Sequence, residues 1–208
     1  MNNAVAIHEN ESLKHAFLRG AGIAPDTIGA DLTPELMELV GKLLANSVQG
    51  AIDLLAQRAL VRQEAQADVT VVVVRNNNPL KFFPDSATVL TQMLRKKMPG
   101  FMEPMEALDD AWRDLRGHQA GVVAGARASM DGLLAVLAPQ RIEAALPAVS
   151  IVDRFMPARR AAASWAHYQL QFGQAASEAR DPVKGVFGAR FLAAYEAASE
   201  AESAARHG

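Results

Sequence analysis

No cysteine occurs among the 208 residues, which removes disulfides, thiolate metal sites and cysteine nucleophiles together and fits a reducing compartment. No apolar stretch approaches the roughly 18 residues that span a bilayer, and Met1–His8 lacks a basic region followed by an apolar run. We therefore expect a cytoplasmic protein with no membrane span. Neither sign of charge is in excess. With 21 Lys and Arg against 23 Asp and Glu, the net charge is -2, too little positive charge to displace the counterions of a nucleic acid. Catalytic signatures are missing as well: HExxH, GxSxG, GxxxxGK[ST] and GxGxxG are all absent, and no cofactor is expected. Aromatic residues are few, with two Trp and two Tyr. Trp112, Trp165, Tyr168 and Tyr195 fall at helical spacing and read as core, not as a cofactor or base-stacking platform.

What is present is helical periodicity. A chain of this length can bury roughly 70% of its unfolded surface, enough for a sizeable core without staples. The expected architecture is all-α, an irregular bundle of about six to eight helices with one extended segment near 69–83. Residues 1–10 read as a flexible N-terminus, 11–200 as a single helical domain and 201–208 as a flexible tail. A short helix fits 11–19, stopped by Gly20-Ala21-Gly22. Thr33 ahead of Pro34 marks an N-cap, and from Glu35 to about Glu64 the residues Met37, Val40, Leu44, Val48, Ile52 and Leu55 form one apolar stripe. The β-branched run Val69–Val74 is extended by preference. It either straps over the helices or pairs its edge with another chain, and the second option would make the protein a self-associating regulatory module. Asp85 or Ser86 caps a helix carrying Val89, Leu90, Met93 and Leu94, ended by Arg95-Lys96-Lys97.

Pro104 opens a long helix whose middle holds Gly117, Gly121 and Gly125 at intervals of four. Each glycine costs up to roughly 1 kcal/mol relative to alanine there, so close approach of another helix near Gly121, or a kink, is required to account for them. Pro139 starts a short helix ended by Pro147. Pro157 opens another with Trp165, Tyr168, Phe172 and Ala176 on one face, and Asp181-Pro182 caps a last one bearing Phe187, Phe191, Tyr195 and Ala198. On the long helix Asp114 precedes His118 by one turn, a spacing at which a carboxylate can orient an imidazole. No third ligand or nucleophile follows from the pattern, so His118 reads as a solvated or helix-packing residue, with a metal- or ligand-binding enzyme built on Asp114 and His118 as the alternative. Arg159-Arg160 is too short a pair to form a basic patch and reads as a solvated first turn.

The most distinctive stretch is Asn76-Asn77-Asn78-Pro79-Leu80-Lys81-Phe82-Phe83-Pro84. Consecutive side-chain amides compete with regular structure, and Pro79 and Pro84 push the residues before them out of the helical region. A long extended elbow is predicted, with at least two of Leu80, Phe82 and Phe83 plugged into the core, Phe82 foremost, and Lys81 pointing outward. Asn77, Asn78, Pro79, Leu80, Lys81 and Phe82 are the candidate partner-binding or structural residues.

Several phrases then coincide: Phe17-Leu18-Arg19-Gly20-Ala21-Gly22, Asn77-Asn78-Pro79-Leu80-Lys81-Phe82, Gly100-Phe101-Met102, Asp114-Leu115-x-x-His118-Gln119 and Phe187-Gly188-x-x-Phe191-x-x-Ala194-Tyr195-Glu196. In this order they resemble the C-terminal domain of type VI secretion system FHA-domain proteins, over nearly the whole chain from about Ser12 to about Ala198. The resemblance implies a non-catalytic cytoplasmic scaffold or adaptor that contacts other secretion subunits, of the membrane complex or the baseplate. It implies no catalytic residue. Members of the family usually carry a phosphothreonine-reading β-sandwich ahead of this domain. Here Met1 lies just before the helical region, and one β-like run cannot build a sandwich, so no phosphothreonine affinity is expected of this chain.

Overall fold

The computed structural model describes residues 2–25, 32–64, 76–95, 99–148, 150–180 and 188–205. Among these the fold is all-α with no strand. Nine helices follow one another: α1 (Asn2–Ala21), α2 (Pro34–Glu64), α3 (Pro79–Phe82), α4 (Ser86–Leu94), α5 (Pro104–Val136), α6 (Pro139–Ala144), α7 (Ile151–Phe155), α8 (Pro157–Arg180) and α9 (Ala189–Ala204). The number exceeds the expected six to eight because α3 and α7, of four and five residues, are too short to show a period. The first and last helices also run beyond the expected 11–19 and 200. The valine run, Lys96-Lys97, Asp181-Pro182 and Phe187 lie outside the described residues.

Helix boundaries follow local chemistry. Proline stands at the start of α3, α5 and α6, where its fixed φ suits the first turn and its missing N–H costs nothing. Thr33 caps α2, its Oγ1 accepting from the Leu36 N–H at 3.2 Å. Asp85 caps α4 by accepting from the Thr88 N–H at 2.8 Å. At the end of α1 Gly22 adopts φ 69°, the left-handed conformation that closes a helix with least strain on glycine.

Two cores form along α5. The first gathers Val48, Ala51, Ile52 and Leu55 of α2, Leu80 of α3, Val89 of α4 and Ala107 and Ala111 of α5. Ala107 and Ala111 have no projecting bulk, so α3 can lie close to the α5 backbone. The predicted α2 stripe is only partly used. Val48, Ile52 and Leu55 are buried while Met37 and Leu44 are exposed, because α3, α4 and α5 lie against the later turns of α2 and leave its first turns uncovered.

The second core is the contact of α5 with α9, built on Phe191 and Tyr195 with Val122 and Leu192 beside them. A Cβ on Gly117 would lie 3.0 Å from Ser199 Oγ, one on Gly121 2.6 Å from the Tyr195 ring and one on Gly125 2.5 Å from the Phe191 ring. As one helix number rises the other falls, so the helices run antiparallel, with the glycines as a groove that receives the aromatic ridge of α9. The predicted close crossing at Gly121 is therefore present, and no kink is needed: α5 is continuous from Pro104 to Val136.

Candidate functional site

The triple asparagine and the turn behind it sit on the first three turns of α5. Asn76 has φ 62°, a left-handed conformation that asparagine tolerates better than most residues, and its Nδ2 donates to Glu106 Oε1 at 3.0 Å. The Asn77 N–H donates to the Gly100 carbonyl at 2.8 Å and the Met102 N–H to the Asn77 carbonyl at 3.0 Å, so the stretch is bridged to the loop before α5. Asn78 is 5% exposed, and its amide is fully used. Oδ1 accepts from the Leu80 N–H at 2.9 Å, while Nδ2 donates to the Ala107 carbonyl and to Asp110 Oδ2, both at 2.8 Å. With that cap in place and Pro79 at the first helical position, Pro79–Phe82 closes into one helical turn. The predicted long extended elbow is thus corrected: the asparagines displace regular structure before Pro79 but nucleate it after.

That turn decides which residue faces where. Leu80 is buried and is the plug, a burial that contributes about 1.5 to 3 kcal/mol. Phe82, expected to be the plug, is 57% exposed. Its ring stands edge-on to Phe83 and Phe101 at centroid distances of 5.0 and 5.4 Å, and Phe83, stacked on Phe101, packs toward the first core. Lys81 is exposed, in line with the outward expectation, but its charged head is not left to solvent. Its Nζ lies 2.7 Å from both Asp110 Oδ2 and Asp114 Oδ2, and Asp114 also pairs with Arg58 Nη1 at 3.3 Å. Burial raises the Asp110 pKa, but hydrogen bonds from Asn78 and Lys81, with the charges of Lys81 and Arg113, outweigh it and hold the carboxyl below its ordinary value. Gln49 of α2 secures the far end, its Oε1 accepting from the Ser86 N–H at 2.9 Å.

The structure therefore brings Asn77, Asn78, Pro79, Leu80, Lys81 and Phe82 together, but gives them different tasks. Five of them hold the turn, and Phe82 faces out. Sequence reasoning missed the carboxylates that receive them. Glu106, Asp110 and Asp114 recur every four residues on one face of α5, a pattern visible in the sequence, of which the spacing to His118 singles out only Asp114. Instead the Asp114 carboxylate receives Lys81 and Arg58, and His118 Nδ1 lies 2.9 Å from Tyr195 Oη across the α5–α9 contact. Among the described residues no group of three or more His, Cys, Asp or Glu could hold a metal. Of the four aromatics expected as core, Tyr195 is buried, Tyr168 is half-buried, and Trp112 and Trp165 are exposed; among the described residues no helix is long and apolar enough to cross a membrane.

Comparison with curated proteins and with solved structures finds no match. The family model for the C-terminal domain of Type VI secretion system FHA protein matches residues 19–198, a range that holds the capped turn, its α5 clamp and the packing of Tyr195 and Phe191 on Gly121 and Gly125. By that match the chain belongs to the family of type VI secretion system FHA-protein C-terminal domains.

Proposed function

We propose that this domain is a non-enzymatic cytoplasmic scaffold or adaptor of a type VI secretion system, acting by contacts with other secretion subunits of the membrane complex or baseplate. Family membership supports the association with the apparatus. The observation that carries the reading is the turn itself. Its polar groups are spent on one another and on α5, which suits architecture and not turnover, while Phe82 is held outward on a support locked from both sides. A rigid exposed aromatic loses little conformational freedom on binding, and such residues dominate the energetics of protein interfaces.

The test is capture of isolated cytoplasmic secretion subunits by the wild-type chain and by Phe82→Ala. We expect one subunit to be captured and Phe82→Ala to weaken that capture about tenfold, equivalent to about 1.4 kcal/mol. Its melting temperature should fall by only about 2 to 4 °C, because the edge-on ring contacts contribute about 1 kcal/mol. Undiminished capture by Phe82→Ala would move the docking surface elsewhere, and capture of no subunit by the wild type would remove the adaptor reading.

A further inference from the structure

A second surface lies away from Phe82, at the corner where α7 meets α8. Phe155 is 83% exposed and Ile151 75%, with Met156 between the two helices also largely open. The corner is nonetheless ordered by local bonds. Asp153 Oδ2 accepts from the Ser150 N–H at 2.9 Å and from its Oγ at 2.7 Å, and Arg160 Nη1 donates to the Pro147 carbonyl at 3.2 Å. Beyond it α8 has no buried residue among those described. It carries a stacked aromatic ladder, Trp165 on Tyr168 at 5.4 Å and Tyr168 on Phe172 at 6.2 Å.

Charge separates the possible occupants. The chain as a whole is net negative, yet from residue 151 to 177 it holds Arg154, Arg159 and Arg160 against a single carboxylate, Asp153. Asp153, bonded to Ser150, keeps its negative charge and feels both Arg159 and Arg160, so the corner is left with a smaller but still positive excess. Arg159-Arg160 alone is a short pair, but with Arg154 it brackets Phe155 and Met156. Side chains as open as Phe155 stand out from the fold. A deformable phase accepts that shape directly, whereas a rigid partner would need a matching pocket. Apolar tips flanked by arginine are the composition of an anionic bilayer interface. We infer that the α7–α8 corner is a peripheral docking surface for an anionic lipid bilayer, with Ile151, Phe155 and Met156 entering the headgroup boundary and Arg154 and Arg159 pairing with lipid phosphates.

Co-sedimentation of the whole chain with phosphatidylcholine vesicles, with and without about one-third phosphatidylglycerol, tests this. Retention should be about tenfold greater on the anionic vesicles and should weaken with added salt. The pair Phe155→Ser and Met156→Ser should abolish it without lowering the melting temperature, both side chains being exposed. Three results would overturn the inference: no retention on anionic vesicles, equal retention on neutral ones, or retention that survives the double substitution. A concentration-dependent dimer that forms without vesicles and is lost in the double variant would instead assign the corner to a second copy of the chain, and would equally sink the lipid reading.

Discussion

Lys81 sits against two carboxylates at 2.7 Å, and its side chain is 36% exposed. Lys81→Glu would remove their counter-charge and add a third negative group beside them. Breaking a fully buried pair costs about 3 to 5 kcal/mol, and solvent screening at this exposure lowers the expectation to about 2 kcal/mol, measured as a shift in urea midpoint. Phe82→Ala, by contrast, should cost only about 1 kcal/mol. The ranking is the reverse of what the outward lysine and inward phenylalanine expected from sequence would produce, and it separates the two arrangements in one pair of melts. Asp110 adds a pH dependence. Its folded pKa is depressed on balance, so the native state binds fewer protons than the unfolded state and the contribution is complete above the unfolded value of about 3.9. It is lost as pH falls through the lower folded value. The stability gap between wild type and Asp110→Asn should therefore be constant above about pH 5 and shrink below about pH 4. A gap that widens in acid would show that burial, and not Asn78 and Lys81, dominates this carboxyl.

Among the elements, the α5–α9 contact gives glycine opposite meanings at different places. A Cβ on Gly121 would meet not only the Tyr195 ring but the Tyr195 carbonyl at 2.9 Å, and a backbone atom cannot rotate aside. Gly121→Ala should cost about 1 to 3 kcal/mol despite the better helix propensity of alanine. Gly50 of α2 has nothing within 4 Å of a built Cβ, so Gly50→Ala should stabilise by about 0.5 to 1 kcal/mol. Opposite signs in chemical denaturation are the expected result, and equal signs would show that α9 does not hold α5 at this distance. The glycine spacing was legible in the sequence because a repeated local penalty demands a compensating contact. The partner was not, since nothing in Gly117, Gly121 or Gly125 indicates that Tyr195 and Phe191 approach from about 70 residues away.

For the whole molecule, α5 is the shared member of two cores. At 33 residues it is about 50 Å long, with the α2–α3–α4 core on its first turns and α9 on the turns from Gly117 onward. Among the described residues none belongs to both buried clusters, so the two regions should open with different free energies. In Gly121→Ala, hydrogen exchange should accelerate across α9 and the adjoining turns of α5 while the Leu80 and Val89 amides keep their protection. Uniform loss of protection across both regions would show that they unfold as one cooperative unit.

By itself the sequence determined the all-α class, the proline-led helix starts, the caps at Thr33 and Asp85, and the need for a partner at the glycine stripe. These depend on dihedral limits and hydrogen bonds that act within a few residues, so they can be read locally. Tertiary structure alone decided which side chain of the Asn78-capped turn is buried. Successive residues of a helix point about 100° apart, and four residues are too few for a pattern to show which face meets the core. It also decided that Lys81 is bound to Asp110 and Asp114 some thirty positions on, and that the α7–α8 apolar residues stay open. Such outcomes depend on which helices meet, and long-range packing sets that, not local propensity.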